Sequence, residues 1–162
     1  MTFLKYLMLF MIALVIVVVG IVGYFFFTAK VTVADCDITG HAAVTQPDLF
    51  QQVNQYLSLG AFPGVIFTDV GLGEAADYAF ITYTLELSNQ CLIPIEMIEV
   101  QIVPKDGDIL QLGDYQIHKL APKTSGTVSA TILTQKDSHS VREVLITYYV
   151  WGVSYTITTT CG

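Results

Sequence analysis

Residues 6–27, YLMLFMIALVIVVVGIVGYFFF, carry no charged side chain and no proline, and no other stretch limits the chain as much. At about 1.5 Å of rise per helical residue, the run matches the roughly 30 Å hydrocarbon core of a bilayer. A helix so uniformly apolar has no polar face to turn to water, and the sequence offers no partner helix of its kind. The stretch is therefore expected to be a transmembrane signal anchor holding the chain in a lipid bilayer. The competing reading is a cleaved secretory signal, whose apolar core usually spans only about 7–15 residues. Thr32, Val33 and Ala34 form the small-residue site that such cleavage would use. Val33-Ala34-Asp35-Cys36 is similar to the end of a lipoprotein signal, but Asp35 stands where those signals carry a small residue.

Orientation rests on size more than on charge. Lys5 and the α-amino group lie on one side of the run, and Lys30, Asp35 and Asp37 on the other; acidic residues count for little in this balance. A tail of only residues 1–5, with everything else behind the anchor, favours a cytoplasmic N-terminus and a single-pass cell-membrane protein. Tyr6 and Tyr24 sit near the two ends, where amphipathic rings prefer the interface.

Residues 31–162 then form one extracytoplasmic domain, long enough to bury a core of its own. They hold five basic residues against 14 acidic ones, a net charge of −9. A surface of that sign repels phosphate backbones, so no nucleic acid partner is expected.

The domain reads as mainly β. Val31 and Val33 alternate with polar neighbours in 31–38, suggesting a first strand. Over 47–59 the period changes: Leu49, Phe50, Val53, Tyr56 and Leu57 share one helical face, Pro47 suits the first turn and Gly60 the end. That is one short amphipathic helix, its stripe turned to the core. Residues 65–67 suggest a short edge strand among Gly-rich loops. Ala79, Ile81, Tyr83, Leu85 and Leu87 alternate cleanly, and so do Ile98, Val100 and Ile102. Asp106-Gly107 supplies a tight hairpin turn. A strand broken by Gly113 follows over 109–112 and 115–120, then Val128, Ala130 and Ile132 alternate again. Residues 144–150 and 153–160 form a final hairpin around Trp151-Gly152. Short strands at this spacing indicate an antiparallel immunoglobulin- or fibronectin-like β-sandwich behind a single N-terminal transmembrane helix.

LELSNQCLIPI at 85–95, the turn at Asp106-Gly107 and LAPKTSGTV at 120–128 together resemble the LEA14-like, or water-stress and hypersensitive-response, domain family. Gln90 stands where that family usually has proline. The resemblance is detailed over residues 83–132 and covers the rest in outline. It implies a sandwich with one helix, commonly membrane-anchored, with no catalytic residues to carry over. Some members are linked to stress protection or lipid handling, which makes a lipid ligand the alternative to a protein partner.

Three cysteines remain, Cys36, Cys91 and Cys161. If each strand reverses the last, Cys36 and Cys161 fall at the far end of the domain and Cys91 at the membrane-proximal end. This favours a Cys36–Cys161 disulfide in an oxidising compartment, with three free thiols as the open alternative. The same counting brings Trp151, Leu92 and Ile93 near the lipid surface, where an indole is favourable. The plain alternative is a hairpin tip and a buried loop.

The residues offer no catalytic constellation. His41, His118 and His139 lack metal-ligand spacing. Asp106-Gly107-Asp108 lacks the remaining oxygens of a calcium loop. Ser125 and the Ser138-His139 pair lack an elbow, and Glu96 and Glu99 read as solvated charge. No catalytic residue, cofactor or metal is expected. The expected function is a non-catalytic structural or protein-interaction module of the cell envelope, with a lipid- or small-molecule-binding module as the alternative.

Overall fold

The computed structural model describes residues 2–27, 30–68, 71–114 and 116–162. Its first element, α1 (Thr2–Phe27), is long and apolar enough to cross a membrane, and the sandwich buries none of its most apolar stretch. Past Lys30 the backbone becomes extended in β1, which runs Val31–Ala42 and so ends at Ala42 rather than Ile38.

A 3-10 turn (Ala43–Thr45) leads into α2 (Pro47–Ser58). Gly60 takes φ +65°. Its N–H donates to the Leu57 carbonyl and the Ala61 N–H to that of Tyr56, the paired bonds of a Schellman cap that only a left-handed residue allows cheaply. Phe50 and Val53 are buried, with Leu49 and Leu57 packed beside them. Tyr56 was expected on the same stripe but is exposed, because at 3.6 residues per turn it falls at the edge of that arc.

The remaining strands are β2 (Gly64–Ile66), β3 (Tyr78–Asn89), β4 (Ile95–Ile102), β5 (Asp108–Leu112), β6 (His118–Leu120), β7 (Ser125–Gln135), β8 (Arg142–Val150) and β9 (Val153–Cys161). They pair antiparallel in a five-stranded sheet ordered β1-β3-β7-β5-β2 and a four-stranded sheet ordered β6-β4-β8-β9. The fold is thus mainly β, two antiparallel sheets with a long apolar N-terminal helix and one short helix, as the alternating runs imply.

Two expectations about connections are corrected. The Asp106-Gly107 turn closes no hairpin, because β4 and β5 belong to different sheets and the chain crosses between them there. Gly107 has φ +94°, while Asp106 is not left-handed. The strand expected over 109–112 and 115–120 divides likewise into β5 of one sheet and β6 of the other; Tyr115 lies outside the described residues.

Between the sheets, Tyr83, Leu85, Leu87 and Ile132 pack against Ile95, Ile102, Ile146 and Val150, all fully buried. A second cluster fills the opposite face of the five-stranded sheet, where Phe80, Leu110 and Leu133 lie beneath Phe50 and Val53 of α2. The upper half of β3 is therefore covered on both sides, which a period of two alone does not announce.

Candidate functional site

The end of the sandwich nearest α1 is organised by Asn89, the last residue of β3 and almost fully buried. Its amide nitrogen donates to the carbonyls of Ile93, Leu120 and Ala121 at 3.0, 3.3 and 3.0 Å, and its oxygen accepts the Cys91 N–H at 2.9 Å. One side chain thereby joins the loops after β3 and after β6. The Cys91 sulfur, also buried, accepts the Lys30 N–H at 3.1 Å, tying the same loop to the exit of α1.

This arrangement separates the residues expected at a lipid surface. Leu92 is 54% exposed, but Ile93 is only 8% exposed and belongs to the core, so it is not a surface contact. The reason is local: Asn89 holds the Ile93 carbonyl, turning that side chain inward and Leu92 outward. Trp151, 55% exposed, sits in the two-residue β8–β9 turn with φ +50°, followed by Gly152 at +80°. Left-handed geometry at both positions is what a twisted two-residue hairpin needs. The indole meets Phe25 and Phe26 edge-to-face, with ring centroids 5.8 and 5.6 Å apart.

Cys36 and Cys161 are joined, with Cα atoms 5.7 Å apart. The bond links the outermost strands β1 and β9 of the two sheets along one side of the sandwich. Cys36 lies mid-strand opposite Leu85 rather than at the far end, because β1 continues to Ala42.

On the opposite side the sandwich is open among the described residues. β3 pairs with β7 down to Ser125, whereas β5 leaves β7 after the Gln111–Ile132 pair. Gly113 donates to the Pro63 carbonyl at 2.8 Å, and a Cβ there would lie 2.3 Å from that oxygen, so glycine is needed where β5 ends. Below this point a cavity of about 650 Å³ opens between the sheets, lined among others by Val65, Met97, Glu99, Gln111, Ile117 and Thr131. Met97 sits at a bulge in β4 with φ +51° and is exposed, as bulges at sheet margins often re-aim a side chain. Gln111 spans the gap between sheets, accepting the Ile102 N–H at 2.8 Å and donating to the Val100 carbonyl at 2.7 Å. On the rim, His118 and Asp114 contact at 2.5 Å. Burial pushes the Asp114 carboxyl up, but the Gln116 N–H and His118 outweigh it and hold the group below its ordinary range.

A polar cluster at the far end was missed in the sequence. Arg142 and Asp108, each about 1% exposed, pair through two bonds, Nε to Oδ2 at 2.8 Å and Nη2 to Oδ1 at 2.7 Å. Arg142 also donates to the carbonyls of His139 and Val141, and Asp108 accepts the Lys105 N–H at 2.9 Å. Tyr83 donates to the Ser140 carbonyl at 2.6 Å beside them. Burial pushes the Tyr83 hydroxyl up to about 12, the Arg142 charge opposing and the Asp108 charge adding to it. Burial also raises Asp108, yet the bonds from Arg142, Lys105 and Thr134 together hold it below the carboxylate range. Among the described residues no buried side-chain polar atom lacks a partner, so this cluster secures the fold and offers no free group for chemistry. The signal was present: the chain's single arginine has the strand parity of Val144, Ile146, Tyr148 and Val150.

The histidines are not brought together. His41 lies on β1 opposite Phe80, His118 pairs with Asp114, and the His139 carbonyl faces Arg142. Among the described residues, no three His, Cys, Asp or Glu side chains are grouped to hold a metal.

No family model and no curated protein matches the chain. Among solved structures, the chain is similar to the cupredoxin domain of amoB from Nitrosocaldus yellowstonii, at 9% identity and a TM-score of 0.36, over 83% of this chain and 88% of that one. It is also similar to part of a beta-galactosidase from Bacteroides fragilis, at 20% identity and a TM-score of 0.34, over 63% of this chain and only 16% of that one. At these values neither likeness bears on activity.

Proposed function

We propose that the chain is a single-pass, membrane-anchored protein whose β-sandwich lies outside the cytoplasm and acts by contact, as a non-catalytic interaction module of the cell envelope. The observation that carries this reading is α1: its most apolar stretch is left uncovered by the sandwich, and the helix leads on through Lys30 into β1. Apolar surface of that extent needs lipid around it. The Cys36–Cys161 bond supports the outward side, because such bonds persist in oxidising compartments. The resemblance of residues 83–132 to LEA14-like domains agrees, since those are commonly membrane-anchored.

The partner surface in this reading is the open side of the sandwich, where among the described residues β7 has no strand paired on its β5 side below Ile132 and an extended segment of another protein can add as a strand. A small apolar ligand is the second reading, favoured by the cavity's volume of about 650 Å³ and the exposed Val65, Met97 and Ile117 on its walls.

Sealed membrane vesicles of known orientation test the topology. The chain is expected to float with lipid after alkaline extraction, and protease is expected to remove the sandwich only from the extracytoplasmic side. Recovery of the full-length chain in the soluble fraction, or digestion only from the cytoplasmic side, refutes the reading. Crosslinking from the same membranes, with lipid analysis of the purified sample, separates a protein partner from a bound ligand.

A further inference from the structure

We propose that the end of the sandwich beside α1 docks onto an anionic lipid surface, so that the domain is held against the membrane in one orientation. The inference rests on the anchored topology above and adds a specific contact face to it.

Four segments meet at this end: Lys30, the loop 90–94, the turn 121–124, and the turn Trp151-Gly152 with Val153 that starts β9. Asn89 binds the second to the third through the carbonyls of Ile93 and Ala121. Cys91 holds the second to Lys30, and the Lys123 ammonium donates to the Gln90 carbonyl. Trp151 packs on Phe25 and Phe26, the last turn of α1, and so sits at the level where the apolar stretch ends.

The chemistry of this face differs from that of the domain that bears it. Leu92, Trp151 and Val153 are all about half exposed, at 54, 55 and 46%. The four segments contain two lysines, Lys30 and Lys123, and no carboxylate, although acidic residues outnumber basic ones 14 to 5 beyond residue 30. The nearby carboxylates Asp35, Glu86 and Glu96 lie within strands rather than in these segments, Asp35 opposite Glu86 on β1, and Glu96 is paired with Lys119 at 3.2 Å. A domain of net charge −9 is repelled from anionic headgroups by most of its surface. At this end the charge of the turns and loops is reversed beside exposed indole and aliphatic groups, the combination that settles at the headgroup level.

Trp151 is the single tryptophan of the chain, so its emission reports on this face without labelling. The full-length protein is reconstituted in nanodiscs of phosphatidylcholine alone, or of equal parts phosphatidylcholine and phosphatidylglycerol, with acyl chains brominated near the headgroup. Anionic discs are expected to quench Trp151 about twofold more than neutral ones, as charge attraction to the surface predicts. Lys123→Gln, which removes the charge but keeps a polar N–H donor, is expected to abolish that difference, and Leu92→Ser to weaken quenching in both discs. Equal quenching in neutral and anionic discs, or none in either, overturns the docking face. Incorporation into the discs is scored separately by flotation. A chain that floats while Trp151 stays unquenched refutes the docking alone, whereas a chain that does not float refutes the anchored topology and the docking with it.

Discussion

Asp108 and Arg142 show how much a single contact can hold in a core built mostly of apolar side chains. Each is desolvated, and each finds its counter-charge in the other through paired, charge-assisted bonds at 2.7 and 2.8 Å. Asp108→Asn is therefore expected to destabilise the sandwich by about 3–5 kcal/mol in urea denaturation, since it leaves a buried guanidinium without its counter-charge. Replacing both residues with apolar ones of similar volume should recover much of the loss, because the pair's desolvation cost disappears with it. The Asp108 carboxyl is depressed in the fold relative to its ordinary 3.8, so its contribution is present above that value. It is lost as pH falls through 3.8 and below, and the acid limb of a stability-against-pH curve should flatten in Asp108→Asn. Tyr83 acts at the other extreme. The unfolded hydroxyl ionises near 10 while the folded one keeps its proton to about 12, so stability should decline as pH rises across that interval. Tyr83→Phe should decline less steeply in the same titration.

At the scale of elements, α2 is more than a decoration on the five-stranded sheet. Phe50 and Val53 seal Phe80, Leu110 and Leu133 from water, and without them that face of β3, β5 and β7 would be an exposed apolar patch. Phe50→Ala is expected to cost about 3–5 kcal/mol, measured by chemical denaturation, with increased binding of a hydrophobic dye reporting the uncovered sheet. The helix was legible because five apolar positions at helical spacing lie between Pro47 and Gly60. The strands β3, β4 and β7 were legible because one face of each is wet over at least part of its length, which imposes alternation on the sequence, and β8 was legible from its β-branched and aromatic run. Alternation tells which way a side chain points but not which strand lies alongside, so the passage of the chain between sheets at Gly107 read as a hairpin. Burial on both faces was hidden for the same reason: Tyr78 and Phe80 stand on the row expected to be polar and are covered by α2. In the candidate site, Trp151 and Leu92 were identifiable from the turns that carry them. The inward turn of Ile93 depends on the Asn89 bonds, and the open groove depends on where β5 leaves β7; neither leaves a mark on local sequence.

For the molecule as a whole, the governing covalent constraint is the bond between Cys36 and Cys161, 125 residues apart. Closing a loop of that length restricts the unfolded chain and contributes about 4–5 kcal/mol on an entropic account. The double variant Cys36→Ala, Cys161→Ala should lose about that much stability, and a reducing agent should reproduce the loss in the parent protein but not in the variant. The buried Cys91 thiol should remain unreactive to alkylation until either protein unfolds. The placement of the bond also decides how the domain bears load. Tension applied along β9 crosses the sulfur bridge into β1 and reaches α1 through the few residues between Val31 and Cys36, so the pull bypasses the strands in between. The two sheets can be tugged at their last strand without being peeled apart, and whatever grips the sandwich is resisted by a covalent tether rather than by the packing of its core.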